Sequence, residues 1–144
     1  RCDPAGSGHY RAPRGMRRHK GVDLLVQPSE GVKSPIPATV ERYVNQVYPY
    51  PENAAQKRMV GIVLAGTGKW SGLKLKIFYM VASVEKRAAL NVGDPIGIVQ
   101  DVREGYPGRE MLNHIHVEVR IGGKLQNPEN FLKQSGDMPH TGEL

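Results

Sequence analysis

The chain carries a single cysteine, Cys2, among its 144 residues. One thiol closes no internal disulfide and excludes every zinc site built on several cysteines. It is either bonded to sequence upstream of Arg1 or a free terminal thiol. Aromatic residues are scarce, at 6%, and no helix-turn-helix, zinc-knuckle or aromatic RNA-binding motif accompanies them, which argues against sequence-specific nucleic-acid readout. No apolar run approaches the ~18 residues that a membrane-crossing helix needs. No Asn-x-Ser/Thr acceptor occurs, so glycosylation gives no sign of compartment. The first residues, Arg1-Cys2-Asp3-Pro4, lack the apolar stretch of a secretion signal. The expectation is a secreted domain whose leader has been removed.

Glycine and proline, by contrast, are plentiful. The 17 glycines and 11 prolines are spread along the chain, as turns between many short strands would require. The length is enough for one hydrophobic core. Strands are predicted at Val22–Val26, Thr39–Val44, Met59–Leu64, Leu73–Val81, Ile96–Val99 and Ile115–Ile121, with Lys33–Pro37 as an extended edge. Residues 1–18 and 48–56 read as loops, and residues 83–90 as the one short helical stretch. The fold class this implies is all-β, mainly antiparallel, with long loops.

Net charge is +6, and Arg11, Arg14, Arg17, Arg18 and Lys20 crowd one stretch. Such a segment is either a solvated basic loop or a surface for an anionic partner, such as a sulfated glycan, a bacterial surface polymer or nucleic acid. Gly66-Thr67-Gly68-Lys69 looks phosphate-binding, but its spacing to Gly61 does not place a lysine where a P-loop needs one; a β-turn is the reading.

The informative residues are histidines, of which there are five. His114 and His116 open the run His-Ile-His-Val-Glu-Val-Arg-Ile. On a strand, alternate side chains share a face. His114, His116, Glu118 and Arg120 therefore fall on one side, and Ile115, Val117, Val119 and Ile121 form a purely apolar side that must face the core. A second motif, His19-Lys20-Gly21-Val22-Asp23, puts an imidazole at the mouth of a strand and a carboxylate within it. Two imidazoles and one carboxylate leave a fourth tetrahedral position open, the layout of a catalytic zinc site. Each motif alone arises by chance roughly once in six chains of this composition. Their combination, with a strand behind each, is less easily accidental.

This pairing of His-x-x-x-Asp with a later His-x-His resembles the M23 zinc metallopeptidases, the lysostaphin-like enzymes. Arg11-Ala12-Pro13-Arg14, Val32-Lys33-Ser34-Pro35 and Leu90-Asn91-Val92-Gly93-Asp94-Pro95 are similar to further stretches of that family. The likeness spans residues 9–132. It implies the M23 fold, one Zn2+ held by His19, Asp23 and His116, and His114 as general base in any active member. With the composition at the two ends, the domain plan expected is a Gly-, Pro- and Arg-rich basic loop over residues 1–18 packed on the domain, the zinc-binding domain at 9–132, and a polar, disordered tail at 133–144.

Two features of the sequence depart from the active enzymes. Where those carry Tyr-x-His, with the histidine stabilising the oxyanion, this chain reads Tyr79-Met80-Val81. Valine has no donor, and losing one oxyanion donor typically costs about 2.7–4 kcal/mol of transition-state stabilisation. The sequence also resembles a secreted, chemotaxin-like branch of the family in Gly8-His9-Tyr10, Ile77-Phe78-Tyr79 and Tyr106-Pro107-Gly108. That branch is disulfide-bonded, whereas Ser7 and Val26 stand where its cysteines align. The expectation is a retired peptidase that binds a cell-surface receptor or an anionic glycan through Arg11, Arg14, Arg17, Arg18 and Lys20. The alternative is a working zinc endopeptidase acting on glycine-rich or peptidoglycan cross-link peptides.

Overall fold

The computed structural model describes residues 21–128 and, nearer the N-terminus, the backbone of four two-residue strands. These form two small antiparallel hairpins: β1 (Cys2–Asp3) with β2 (Gly6–Ser7), and β3 (Pro13–Arg14) with β4 (Arg17–Arg18). The predicted loop over residues 1–18 is thus broken by local pairing. Pro13 opens its strand, a position where a missing N–H is tolerated. How that segment packs, and the tail expected at 133–144, lie outside the described residues.

The remaining strands are β5 (Val22–Leu25), β6 (Gly31–Lys33), β7 (Ala38–Val44), β8 (Gly61–Gly66), β9 (Leu73–Phe78), β10 (Met80–Ala82), β11 (Ala89–Leu90), β12 (Pro95–Val99), β13 (His114–Ile121) and β14 (Lys124–Gln126). Seven of them build one antiparallel sheet in the order β11-β7-β8-β9-β13-β14, with β5 also paired to β13. A smaller sheet runs β10-β12-β6. The all-β, antiparallel expectation is met. No helix among the described residues is long and apolar enough to cross a membrane.

Strand β13 is the axis of the large sheet. Along one side it pairs with β9 from His116 to Ile121; along the other, β5 takes His114 to Val117 and β14 takes Val119 to Ile121. Its odd-numbered residues Ile115, Val117 and Val119 are fully buried. They join Leu24, Leu64, Leu75 and Ile77 of the large sheet and Val32, Met80, Ile96 and Val99 of the small sheet in one apolar cluster. Only Ile121, at the strand's end, stays 49% exposed.

Several elements differ from expectation; β14 (Lys124–Gln126) was not predicted, and the edge expected at 33–37 is a strand at Gly31–Lys33. The predicted strand Leu73–Val81 breaks at Tyr79, whose φ of 72° lies in the left-handed region. The backbone there is held from both sides: Tyr79 N–H donates to Val60 O (2.8 Å), and Gln100 N–H donates to Tyr79 O (2.9 Å). The break sends β9 into the large sheet and β10 into the small one. The segment expected to be helical, 83–90, is instead a turn leading into β11. There Arg87 N–H donates to Val40 O (2.7 Å) and Val40 N–H to Ala88 O (3.0 Å), so pairing to β7 overrides local propensity. A one-turn helix, α1 (Ala54–Lys57), instead begins within the predicted loop 48–56. It is capped by Asn53, whose side chain accepts from Gln56 N–H at 2.8 Å. Gly68–Trp70 is a short 3-10 turn, in keeping with the turn expected there.

Burial sets the scale of a mutational test. Leu75→Ala is expected to cost about 2–5 kcal/mol, whereas Ile121→Ala on the same sheet should stay within about 0.5 kcal/mol. Urea-unfolding midpoints measure both; similar losses for the two would mean that the core is not where β13 places it.

Candidate metal centre

The register between β5 and β13 puts Asp23 directly opposite His116. In an antiparallel pair, opposed residues project to the same face with Cβ atoms about 4.5–5.5 Å apart. The two side chains accordingly meet: His116 Nδ1 lies 3.1 Å from Asp23 Oδ1. His114, one register step along, brings its Nε2 to 3.7 Å from Asp23 Oδ2. Its other ring nitrogen lies 2.9 Å from the carbonyl of Leu112. A carbonyl only accepts, so Nδ1–H donates there, and in the neutral ring Nε2 keeps the lone pair that faces Asp23.

Gly21 explains how the two strands come so close. A Cβ at that position would overlap the carbonyl of Val117 and press on Cγ of Glu118. The glycine of the His-x-x-x-Asp motif is thus required by close approach rather than by bending.

The even-numbered face of β13 is not a solvent face. His114 is 3% exposed, His116 8% and Glu118 7%. Phe78, opposite His116 on β9, stacks on its ring with centroids 5.5 Å apart. Tyr79 meets the His114 ring edge-on, also at 5.5 Å. Beyond it, Tyr48 O–H donates to the Tyr79 hydroxyl at 3.3 Å and lies 2.7 Å from the Tyr106 hydroxyl. Burial, with the neighbouring Tyr79 and Tyr106, drives the Tyr48 phenol well above the ordinary tyrosine range. The guanidinium of Arg109 sits 5.8 Å from the centre of the Tyr106 ring.

Of the expected site residues, then, the fold brings together Asp23, His114 and His116. His19 lies outside the described residues, as do the side chains of Arg11, Arg14, Arg17, Arg18 and Lys20. Among the described residues no group of three His, Cys, Asp or Glu side chains could hold a metal ion. They supply two of the three expected ligands, and the facing imidazole and carboxylate are a donor pair that suits zinc. Val81 is 51% exposed and pairs across β10 and β12 with Ile98. Asn113 is a loop pin: its Oδ1 accepts from Val102 N–H (2.9 Å), and its amide donates to Val26 O and Gln100 O (both 3.1 Å). Trp70 packs against the core cluster.

The sequence reading missed Phe78 and Tyr79 as walls of the centre, and it missed Tyr48; it set Glu118 on the histidine face of the strand but not its contact with His116. The alternation along β9 carried a signal for Phe78. Nothing local signals Tyr48, which lies 31 residues from Tyr79 and 58 from Tyr106.

No family model matches the sequence, and no curated protein does. Solved structures do. Lysostaphin superposes with a TM-score of 0.66 at 18% identity, over 94% of this chain and 51% of its own. LytU gives 0.65 at 16%, over 93% and 87%. A zinc-containing peptidase from Vibrio cholerae gives 0.57 at 20%, over 88% and 35%. The chain therefore spans about half the length of lysostaphin and about a third of the Vibrio peptidase. At these identities the likeness defines the fold: the lysostaphin-like β fold of the M23 peptidases, with an Asp-His-His cluster at the strands that carry the two motifs.

Metal-free protein gives a test of the cluster. Burial opposes charging of His116, but hydrogen bonds to Asp23 and Glu118, reinforced by their charges, raise its pKa above the ordinary value of 6.5. A raised folded-state pKa means that the charged ring stabilises the fold fully below pH ~6.5 and that this contribution is lost as pH climbs through the folded value. In chelator-treated protein, the stability advantage of wild type over His116→Gln is expected to shrink from pH 6 to pH 9. An advantage that grows over that range would refute the arrangement.

Proposed function

We propose that this chain is a zinc-binding domain of the M23 fold that has lost peptidase activity and serves outside the cell as a signalling or adhesion module. In this reading its particular kinship is with leukocyte cell-derived chemotaxin 2 and myeloid protein 1, which its sequence resembles. His19, Asp23 and His116 would hold the zinc. Bound only by the native state, the ion adds stability by mass action and, where a water can reach it, lowers that water's pKa.

The observation that carries the reading is Val81. By resemblance to the Tyr-x-His segment of the active enzymes, Val81 falls, two residues past Tyr79, where those carry the oxyanion histidine, and it offers no donor. For an anionic partner, the register of the β3–β4 hairpin sets Arg14 opposite Arg17. The charge of that basic stretch, Arg11, Arg14, Arg17, Arg18 and Lys20, suits an anionic glycan or an acidic receptor surface.

A second reading, a working zinc endopeptidase acting on glycine-rich or peptidoglycan cross-link peptides, is favoured by one observation. His114 turns its Nε2 toward Asp23, 3.7 Å from Oδ2, and in the neutral ring that nitrogen is the one that would accept a proton as general base.

Two measurements decide between them. Elemental analysis of protein purified without metal-affinity resin should find one equivalent of zinc in wild type and none in His116→Ala. Wild type should leave a glycine-rich peptide intact, and Val81→His should gain hydrolysis, since the missing donor is worth about 10²–10³ in rate. Cleavage by wild type would overturn the retired-peptidase reading in favour of the enzyme.

A further inference from the structure

Glu118 is absent from the ligand set that the motifs imply, yet its placement is costly. Its carboxylate is buried on the even face of β13, where an unpartnered charge would not be tolerated. It lies two positions beyond His116, a separation of about 6.6 Å along a strand, and reaches back until Oε2 is 3.0 Å from His116 Nε2. The imidazole is therefore engaged at both nitrogens, by Asp23 at Nδ1 and by Glu118 at Nε2. Phe78, stacked at 21° to the ring plane, holds the ring's face.

An imidazole can bind a metal through one nitrogen only if the other carries the proton, and a partner for that proton fixes both tautomer and ring orientation. Glu118 can accept from Nε2–H, which leaves Nδ1 as the nitrogen presented beside Asp23. We infer that Glu118 is a positioning residue of the zinc centre, setting the ring of His116 and its metal-facing nitrogen without itself being a ligand. The inference rests on the zinc-binding reading above.

Gly21 takes part in the same device. Because it has no Cβ, Cγ of Glu118 can lie against its backbone. The glycine of the first motif thus makes room for the glutamate that follows the second. The two signatures are connected sterically as well as through their shared centre.

The test is zinc affinity, measured by competition with a chromogenic chelator, for wild type, Glu118→Gln, Glu118→Ala and His116→Ala. Alongside it, NMR reads the His116 Hε2 signal in zinc-loaded protein. Outer-sphere partners of this kind typically contribute 10–100-fold in metal affinity. Glu118→Gln, near-isosteric, is expected to weaken zinc about tenfold, and Glu118→Ala up to about 100-fold. In both, the Hε2 signal should move upfield and exchange faster with water, a change that a purely structural role would not produce. If Glu118→Ala does not fold, Glu118→Gln alone decides. Wild-type affinity and an unmoved Hε2 signal in Glu118→Gln, with zinc lost in His116→Ala, would overturn this role and leave the metal centre standing. Failure of folded wild type to bind zinc would overturn both.

Discussion

Pairing of β13 with a strand on either side is the constraint on which the rest of the structure depends. The ladder to β5 makes Asp23 the cross-strand neighbour of His116, and the ladder to β9 makes Phe78 its neighbour on the other side. Because side chains alternate, the same register that sinks Ile115, Val117 and Val119 into the core lifts His114, His116 and Glu118 into one enclosed row. A slip of one residue would exchange these sets and bury imidazole in the apolar cluster. Core and polar centre are therefore two faces of one alignment, and neither can be altered without the other.

The polar face succeeds because its groups answer one another. A carboxylate, an imidazole and a second carboxylate follow in sequence, each within 3.1 Å of the next. Buried polar networks of this kind are strong when complete and costly when one member is missing. Phe78 covers the face of the His116 ring, and Tyr79 meets the neighbouring His114 edge-on. The phenols of Tyr48 and Tyr106, contributed by distant loops, close the side next to Tyr79.

What the sequence revealed was what depends on short-range order. The alternation of β13 was legible, because a period of two needs only neighbouring residues, and it set His114 and His116 on one face; that Asp23 joins them was implied by the resemblance to the M23 enzymes, not by periodicity. Which strand would lie against which was not legible from periodicity, and with it the role of Phe78; Glu118 was on the expected face, but its reach back to His116 was not legible. The helix α1 was not legible although Asn53 and Gln56 stand at capping spacing, because Pro49 and Pro51 just upstream are a loop signal. The break at Tyr79 has no local signature, since a tyrosine rarely adopts a left-handed conformation unless contacts from elsewhere impose it. Val60 and Gln100 impose it here.

That break has a mechanical meaning. At Tyr79 the chain passes from the large sheet to the small one with no loop between β9 and β10, so no slack is available there to absorb shear between the layers. The ring at this seam rests edge-on against His114. A partner that levers the small sheet, by gripping the exposed side chains of Val81 or Ile98 for example, would therefore apply its torque within one residue of the imidazole row. The polar centre sits at the joint between the two layers, where a surface load is felt first.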